Sequence, residues 1–122
     1  MALAYHEPRE SLPAEVIEQH RALASLIEEL EAVAWYHQRA AASGDAELTA
    51  VMEHNRDEEI EHASMLLEWL RRKFPGFGEN LKTYLFQSGP ITELEEAAGA
   101  GDEGKSAGGA GGLGIGSLRE GA

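Results

Sequence analysis

The chain has 122 residues, of which 22 are acidic and 10 basic, and its formal net charge is −12. This length fits one small domain, and the acidic excess argues against binding to nucleic acid or anionic membranes, which attract basic surfaces. The absence of cysteine from the sequence excludes disulfides, thiolate zinc sites, iron–sulfur clusters and thiol catalysis.

Residues 1–13 are predicted to be an N-terminal segment that precedes the folded part. The chain start lacks the basic and hydrophobic stretches of an export signal, and no apolar run approaches a membrane span, so we expect a cytosolic protein. Glycine then divides the chain, because ten of its 14 glycines lie at or after Gly99. We predict one folded domain over 14–98, a flexible Gly-rich linker over 99–112 and a distinct terminal segment over 113–122.

The folded part is predicted to be all-α. Its first helix is expected over 14–41, because Pro13 suits the first turn of a helix and apolar or small residues then recur at helical spacing. Gly44 is expected to end this helix, and Asp45 to cap a second helix over 46–73. The link between the two helices is only a few residues long, which predicts an antiparallel hairpin.

The second helix is expected to stop at Pro75 and Gly76, after three basic residues, 71–73, that complement its dipole. A shorter helix is predicted over 78–87, and 91–98 is expected to add one or two helical turns. A two-helix hairpin with such a fragment cannot enclose a core. Its apolar faces would remain uncovered, so we expect the chain to form a homodimer.

Glu59 is the first candidate site residue, because it interrupts an apolar stripe. At about 100° per residue, it falls in the middle of the stripe formed by Leu48, Met52, Leu66 and Leu70. A carboxylate there is costly to bury unless it is paired, protonated or bound to a metal. His62 follows one turn later on the same face, which gives Glu-x-x-His spacing. The alternative is a boundary glutamate that is hydrogen-bonded across an interface or paired with Arg56.

Glu29 is the matching candidate on the first helix, where it lies toward one edge of the apolar arc. A solvated glutamate would be ordinary in that place, but Glu29 and Glu59 lie almost equally far from the hairpin midpoint. The mismatch is about one residue, or about 1.5 Å of helix axis, so we expect the two glutamates side by side. Ferritin-like di-iron sites take a Glu from each of two helices and a Glu-x-x-His from each of two others. One chain therefore supplies half of a site, and a twofold dimer would complete it.

Several motifs of the chain resemble the encapsulated ferritins. The likeness extends over about 16–96 and into the tail, and it is carried by the segments Glu28–Tyr36 (EELEAVAWY), Asn55–His62 (NRDEEIEH), Leu67–Arg72 (LEWLRR), Thr83–Phe86 (TYLF) and Gly89–Ile91 (GPI). In that family each subunit is a two-helix half of a ferritin-like bundle. Two subunits form a di-iron ferroxidase centre, and five dimers form an open decameric ring.

The resemblance implies that Glu29, Glu59 and His62 of two chains bind two iron ions at each dimer interface. Manganese or zinc suits the same carboxylate and imidazole ligands, and calcium is a further surrogate. The resemblance also implies that metal enters at a site formed by Glu28 and Glu31, near Trp35 and remote from the apolar arc. Without the family, a solvated face explains these two glutamates equally well.

Three other side chains are less informative. The resemblance implies that Tyr36 lies close to the iron centre, in its second coordination sphere. His37 lies within the apolar arc but about 18 Å out of register with His62, so we interpret it as a packed or interface residue. His54 lies beside acidic residues and could hold a surface metal, although a solvated acidic face explains it better.

The terminal segment 113–122 carries three large aliphatic side chains, Leu113, Ile115 and Leu118, in an otherwise polar tail. They are typical of a short motif that docks into grooves of a partner. The segment resembles the targeting peptide that loads cargo into encapsulin shells. The resemblance therefore implies a location in the lumen of an encapsulin nanocompartment, in a bacterial or archaeal cytoplasm.

The expected function is oxidation of Fe(II) by oxygen, with the ferric product stored inside the shell. One alternative is an encapsulated di-iron protein that scavenges peroxide, like the rubrerythrins, although the chain lacks a second Glu-x-x-His motif and rubredoxin-type cysteines. The other is a non-catalytic helical cargo protein in which Glu59 is merely an interface residue.

Overall fold

The computed structural model describes residues 3–99 of the chain. Helices and short 3-10 turns form the regular structure of this range, and no strand lies within it. The helices are α1 (Ala14–Ala42), α2 (Ala46–Lys73) and α3 (Pro75–Tyr84), and residues 94–99 are also helical, as expected for the segment 91–98. The 3-10 turns are Arg9–Ser11 and Ile91–Glu93. The prediction of an all-α chain is confirmed. The predicted linker after Gly99 and the terminal segment 113–122 lie outside the described residues.

The described residues divide into two compact units, one ending at Phe74 and the other beginning at Pro75. The first unit contains α1 and α2, which run antiparallel and pack against each other as a hairpin. The second unit contains α3. The bounds of the two long helices agree with those predicted from the sequence, apart from one further residue at the end of α1.

The tight turn between α1 and α2 is held by side-chain hydrogen bonds. Asp45 caps α2 as predicted, because its carboxylate accepts a hydrogen bond of 2.9 Å from the backbone N–H of Leu48. The hydroxyl of Ser43 accepts a hydrogen bond from the N–H of Asp45 at 3.2 Å. Gly44 lies in this turn without a positive φ, so α1 ends through the extended backbone of Ser43 rather than through a left-handed glycine.

At the opposite end of the hairpin, α2 stops because Phe74 is extended, with φ −127° and ψ 97°. Gln19, near the start of α1, donates a side-chain hydrogen bond of 3.1 Å to the carbonyl of Lys73, which satisfies one of the free carbonyls at the end of α2. Pro75 was expected only to terminate α2. It is instead the first residue of α3, a place where its missing N–H costs nothing.

The buried side chains of the hairpin are small. Ala22, Ala40 and Ala63 are buried, and Leu70 is the one large side chain among residues 3–99 that is completely enclosed. Eight large apolar side chains of α1 and α2 remain exposed: Val16, Ile27, Leu30, Trp35, Leu48, Val51, Ile60 and Met65. The hairpin therefore leaves much of its apolar surface uncovered, as predicted. No helix among the described residues combines the length and apolar character that crossing a bilayer requires.

The third helix begins and ends three residues earlier than the predicted range 78–87. Its end is set by Phe86, which has a φ of +60°, in the left-handed region that a bulky residue rarely adopts. The Phe86 side chain is also 84% exposed, so packing does not offset this conformation within the chain. A conformational cost is therefore stored immediately after α3.

Replacing Phe86 by glycine should stabilise the protein, because a left-handed conformation costs about 1 kcal/mol for a residue with a Cβ atom. We expect Phe86→Gly to raise the free energy of unfolding by up to about 1 kcal/mol. Chemical denaturation at fixed protein concentration measures the change. Phe86→Ala keeps the Cβ atom and should bring no such gain, and equal stability of the two variants would contradict the proposed strain.

Candidate metal centre

Glu29 of α1 meets Glu59 and His62 of α2 in the middle of the hairpin. One potential ligand atom from each of the three residues lies within 4.8 Å of the others. The His62 Nδ1 atom is 2.9 Å from Glu59 Oε1 and 3.5 Å from Glu29 Oε1. The equal distances of the two glutamates from the hairpin turn thus bring them together as predicted from their register.

The three side chains lie at the edge of the hairpin. Their exposed fractions are 27% for Glu29, 24% for Glu59 and 42% for His62. The predicted apolar stripe around Glu59 is correspondingly uneven, since Leu70 is completely buried whereas Leu48 is 48% exposed. Glu59 is therefore at a boundary and not in a closed core, and the cluster is accessible to an ion or a second molecule.

The pKa values of the three side chains are shifted in different directions. The pKa of Glu29 is raised, mainly by its hydrogen bond with Glu59 and then by burial. The pKa of Glu59 is lowered, because its carboxylate accepts that hydrogen bond and a second one from His62. The hydrogen bond to Glu59 also raises the pKa of the His62 imidazole. Glu29 therefore holds a proton more tightly than an ordinary glutamate, and Glu59 holds one less tightly.

Arg56 does not neutralise Glu59, although such a pair was the alternative interpretation of that residue. Its Nε atom donates a hydrogen bond of 3.0 Å to Asp57 Oδ1, and its Nη1 atom lies 3.2 Å from His37 Nδ1. The contacts of Glu59 are to His62 and Glu29. Both carboxylates of the cluster therefore keep oxygen lone pairs for a ligand.

The donor set suits a divalent transition-metal ion. Carboxylate oxygen and imidazole nitrogen bind such ions at about 2 Å, so donors around one ion stand up to about 4 Å apart. The separation of at most 4.8 Å is close to this limit and needs only small side-chain rotations. Three donors from one chain leave coordination positions open, which is typical of reactive sites.

The residues predicted to form the metal entry site all lie on α1. Glu28 is exposed, Glu31 is half-buried and Trp35 is 51% exposed. The guanidinium of Arg39 lies 6.0 Å from the Trp35 ring and 5.6 Å from the Tyr36 ring. Within residues 3–99, the Glu29–Glu59–His62 group is the one in which three or more potential ligands converge. The roles of Glu28, Glu31, Trp35 and Tyr36 stay predictions.

His37 is exposed within the chain, and its Nδ1 atom lies 3.2 Å from Arg56 Nη1, so it is not packed inside one chain, and its interpretation as an interface residue stays a prediction. Its contact with Arg56 was missed because the two residues are not level with each other across the hairpin. The length of the arginine side chain, added to the register, would have indicated it. His54 is 71% exposed and lies 3.9 Å from Glu58, as expected for a solvated acidic face.

Comparison with known proteins places this hairpin in a family. A family model described as EncFtn-like matches residues 4–88. The chain belongs to the EncFtn-like family. The matched range includes the whole hairpin and all three residues of the candidate metal centre, so both are features of the part of the chain that the family shares.

Individual relatives agree with this assignment. The "Encapsulated ferritin-like protein" of Rhodospirillum rubrum is 55% identical over 121 residues, which cover 93% of this chain and 86% of that protein. The "Ferritin-like protein" of Thermotoga maritima is 56% identical over 103 residues, which cover 84% of this chain and 90% of that protein. The crystal structure of protein ne0167 from Nitrosomonas europaea has a TM-score of 0.70 and 56% identity, covering 72% of this chain and 97% of that one.

Metal binding at the cluster should release protons and weaken as the pH falls. A raised pKa keeps Glu29 and His62 protonated to a higher pH than usual, and these protons compete with the cation for the same lone pairs. Calorimetric titration with Co(II) in two buffers of different ionisation enthalpy measures the protons released. We expect Glu29→Gln to reduce that number and His54→Ala to leave it unchanged. Unaltered proton release in Glu29→Gln would contradict the assignment.

Proposed function

We propose that this protein is a ferroxidase, which oxidises Fe(II) to Fe(III) with oxygen at a di-iron centre shared by two copies of the chain. The observation that carries the proposal is the convergence of Glu29, Glu59 and His62, whose ligand atoms lie within 4.8 Å. Membership of the EncFtn-like family and the ferritin-like names of two relatives support iron as the metal. We also propose that zinc, manganese or calcium can occupy the same site in place of iron.

The need for a second copy follows from the number of ligands. One chain offers two carboxylates and one imidazole, whereas a ferritin-like di-iron site uses four carboxylates and two imidazoles. A homodimer about a twofold axis doubles the set. The same dimer would cover part of the exposed apolar surface of α1 and α2, and we propose that five such dimers form a decameric ring.

The reaction that we assign to this centre needs two electrons. Two Fe(II) ions give up one electron each, and one oxygen molecule takes both together with two protons to form hydrogen peroxide. The carboxylates favour this oxidation, because negative charge at short range stabilises Fe(III) more than Fe(II). We further propose that Glu28 and Glu31, near Trp35, gather Fe(II) before it reaches the centre, and that Tyr36 lies in the second coordination sphere.

The proposed location is the interior of an encapsulin shell. The family and the word "Encapsulated" in the name of the Rhodospirillum rubrum relative support an association with such a shell. The chain's own contribution is the terminal segment 113–122, whose aliphatic side chains Leu113, Ile115 and Leu118 would occupy apolar grooves of the shell protein. Because a hairpin dimer encloses no storage cavity, the shell would take up the ferric product.

Removal of a ligand tests the proposed reaction. Glu59→Ala and His62→Ala each delete two donors from a dimeric site, so we expect Fe(II) oxidation below about a tenth of the wild-type rate. Oxygen consumption and ferric absorbance after anaerobic loading with Fe(II) measure the rate, and His54→Ala is the matched control. Full turnover in both variants would exclude this centre. A preference for peroxide over oxygen would instead favour a peroxide-scavenging role.

Removal of the terminal segment tests the proposed location. Deletion of 113–122 should leave Fe(II) oxidation unchanged, because the candidate metal centre lies in the hairpin. The same deletion should abolish co-purification with a co-expressed encapsulin shell protein. Replacement of Leu113, Ile115 and Leu118 by serine should have the same effect as the deletion, and loading that survives both changes would overturn the assignment.

A further inference from the structure

Arg56 is the arginine nearest to Glu59 along α2, and the two contacts of its guanidinium are to other residues. Its Nε atom donates to Asp57 Oδ1 at 3.0 Å, and its Nη1 atom lies 3.2 Å from His37 Nδ1 on the facing helix. The Arg56 side chain is 24% exposed, the same fraction as that of Glu59. The guanidinium is therefore a half-buried charge in a defined position.

The contact between Arg56 and His37 assigns a hydrogen-bonding role to the Nδ1 atom of the imidazole. A guanidinium has N–H donors and no acceptor, so Nδ1 of His37 must accept the hydrogen bond from Arg56. Such a hydrogen bond requires the tautomer of His37 that carries its proton on Nε2. Its Nδ1 lone pair is occupied by Arg56 and does not serve as a metal ligand.

The position of Arg56 relative to Glu59 would allow an ion pair that competes with cation binding. Residues three apart on a helix face each other across one turn, and an arginine in that position commonly pairs with a glutamate. Such a pair would occupy the oxygens of Glu59 and place a positive charge beside an incoming metal ion, which would lower the affinity of the cluster. The guanidinium is instead drawn along α2 to Asp57 and across the hairpin to His37.

We infer that His37 is a positioning residue for the metal centre: by accepting a hydrogen bond from Arg56, it keeps the guanidinium away from Glu59 and so leaves that carboxylate free for a divalent cation. Asp57 assists from the other side of the guanidinium. The inference rests on the proposed metal binding at Glu59, but it does not depend on the oxidation of the bound metal.

Titration of the full chain with Co(II), in competition with a chromophoric chelator, tests the inference. His37→Leu removes the acceptor and releases Arg56, so we expect Co(II) affinity to fall about threefold or more, the scale of a helix-surface ion pair. His37→Asn places an amide oxygen where Nδ1 stood and should retain wild-type affinity. The double variant His37→Leu with Arg56→Met should also recover it, because the competing cation is gone.

The rescue by two different substitutions separates positioning from a general loss of stability. His54→Leu, a change at an exposed histidine of α2, is the matched control and should leave Co(II) affinity unchanged. In the metal-free protein, imidazole ¹⁵N shifts should show His37 as the neutral tautomer protonated on Nε2.

Wild-type Co(II) affinity in His37→Leu, or failure of the double variant to recover it, would overturn the inference. Failure of the proposed function has a different signature. If the wild-type protein and the His37 variants differ in Co(II) affinity as expected, but the wild-type protein does not oxidise Fe(II), then the ferroxidase proposal is wrong and the role of His37 stands.

Discussion

Two carboxylates that face each other across one helix pair are the constraint on which the rest of the structure depends. Glu29 and Glu59 repel each other when both are ionised, which contributes to the raised pKa of Glu29, and the hydrogen bond between His62 and Glu59 reduces that repulsion. A bound cation would do the same more strongly. The hairpin brings the two groups together at an exposed edge, so a cation that bound there would relieve this electrostatic cost.

The two long helices were predictable because their ends carry strong local signals. Pro13 and Asp45 start α1 and α2, and only a few residues separate the helices. The sequence was misleading where one residue serves two elements. Pro75 indicates the end of α2, but it also suits the first turn of α3. The end of α3 depends on the left-handed backbone of Phe86, which a phenylalanine does not indicate.

For the candidate site, helical register was sufficient to predict which residues lie close together. Equal distances from the turn brought Glu29 beside Glu59, and the spacing of Glu59 and His62 placed them on one face. Side-chain direction was not predictable in the same way. A pair between Arg56 and Glu59 was one alternative interpretation, yet the Arg56 guanidinium turns toward His37 and Asp57. Helix geometry fixes where a residue lies, whereas competition among several acceptors decides where a long side chain points.

The antiparallel hairpin also determines the order in which its contacts can form. Loop closure costs more entropy as the loop lengthens. The contact between His37 and Arg56 closes 19 residues of chain, and that between Gln19 and Lys73 closes 54. The contacts of the hairpin can thus form in order from the turn outward. The cluster of Glu29, Glu59 and His62 would form after the contacts nearest the turn and before those at the far end. Fraying at the far end of the hairpin would leave this cluster intact, because Glu29 and Glu59 lie about midway between that end and the turn.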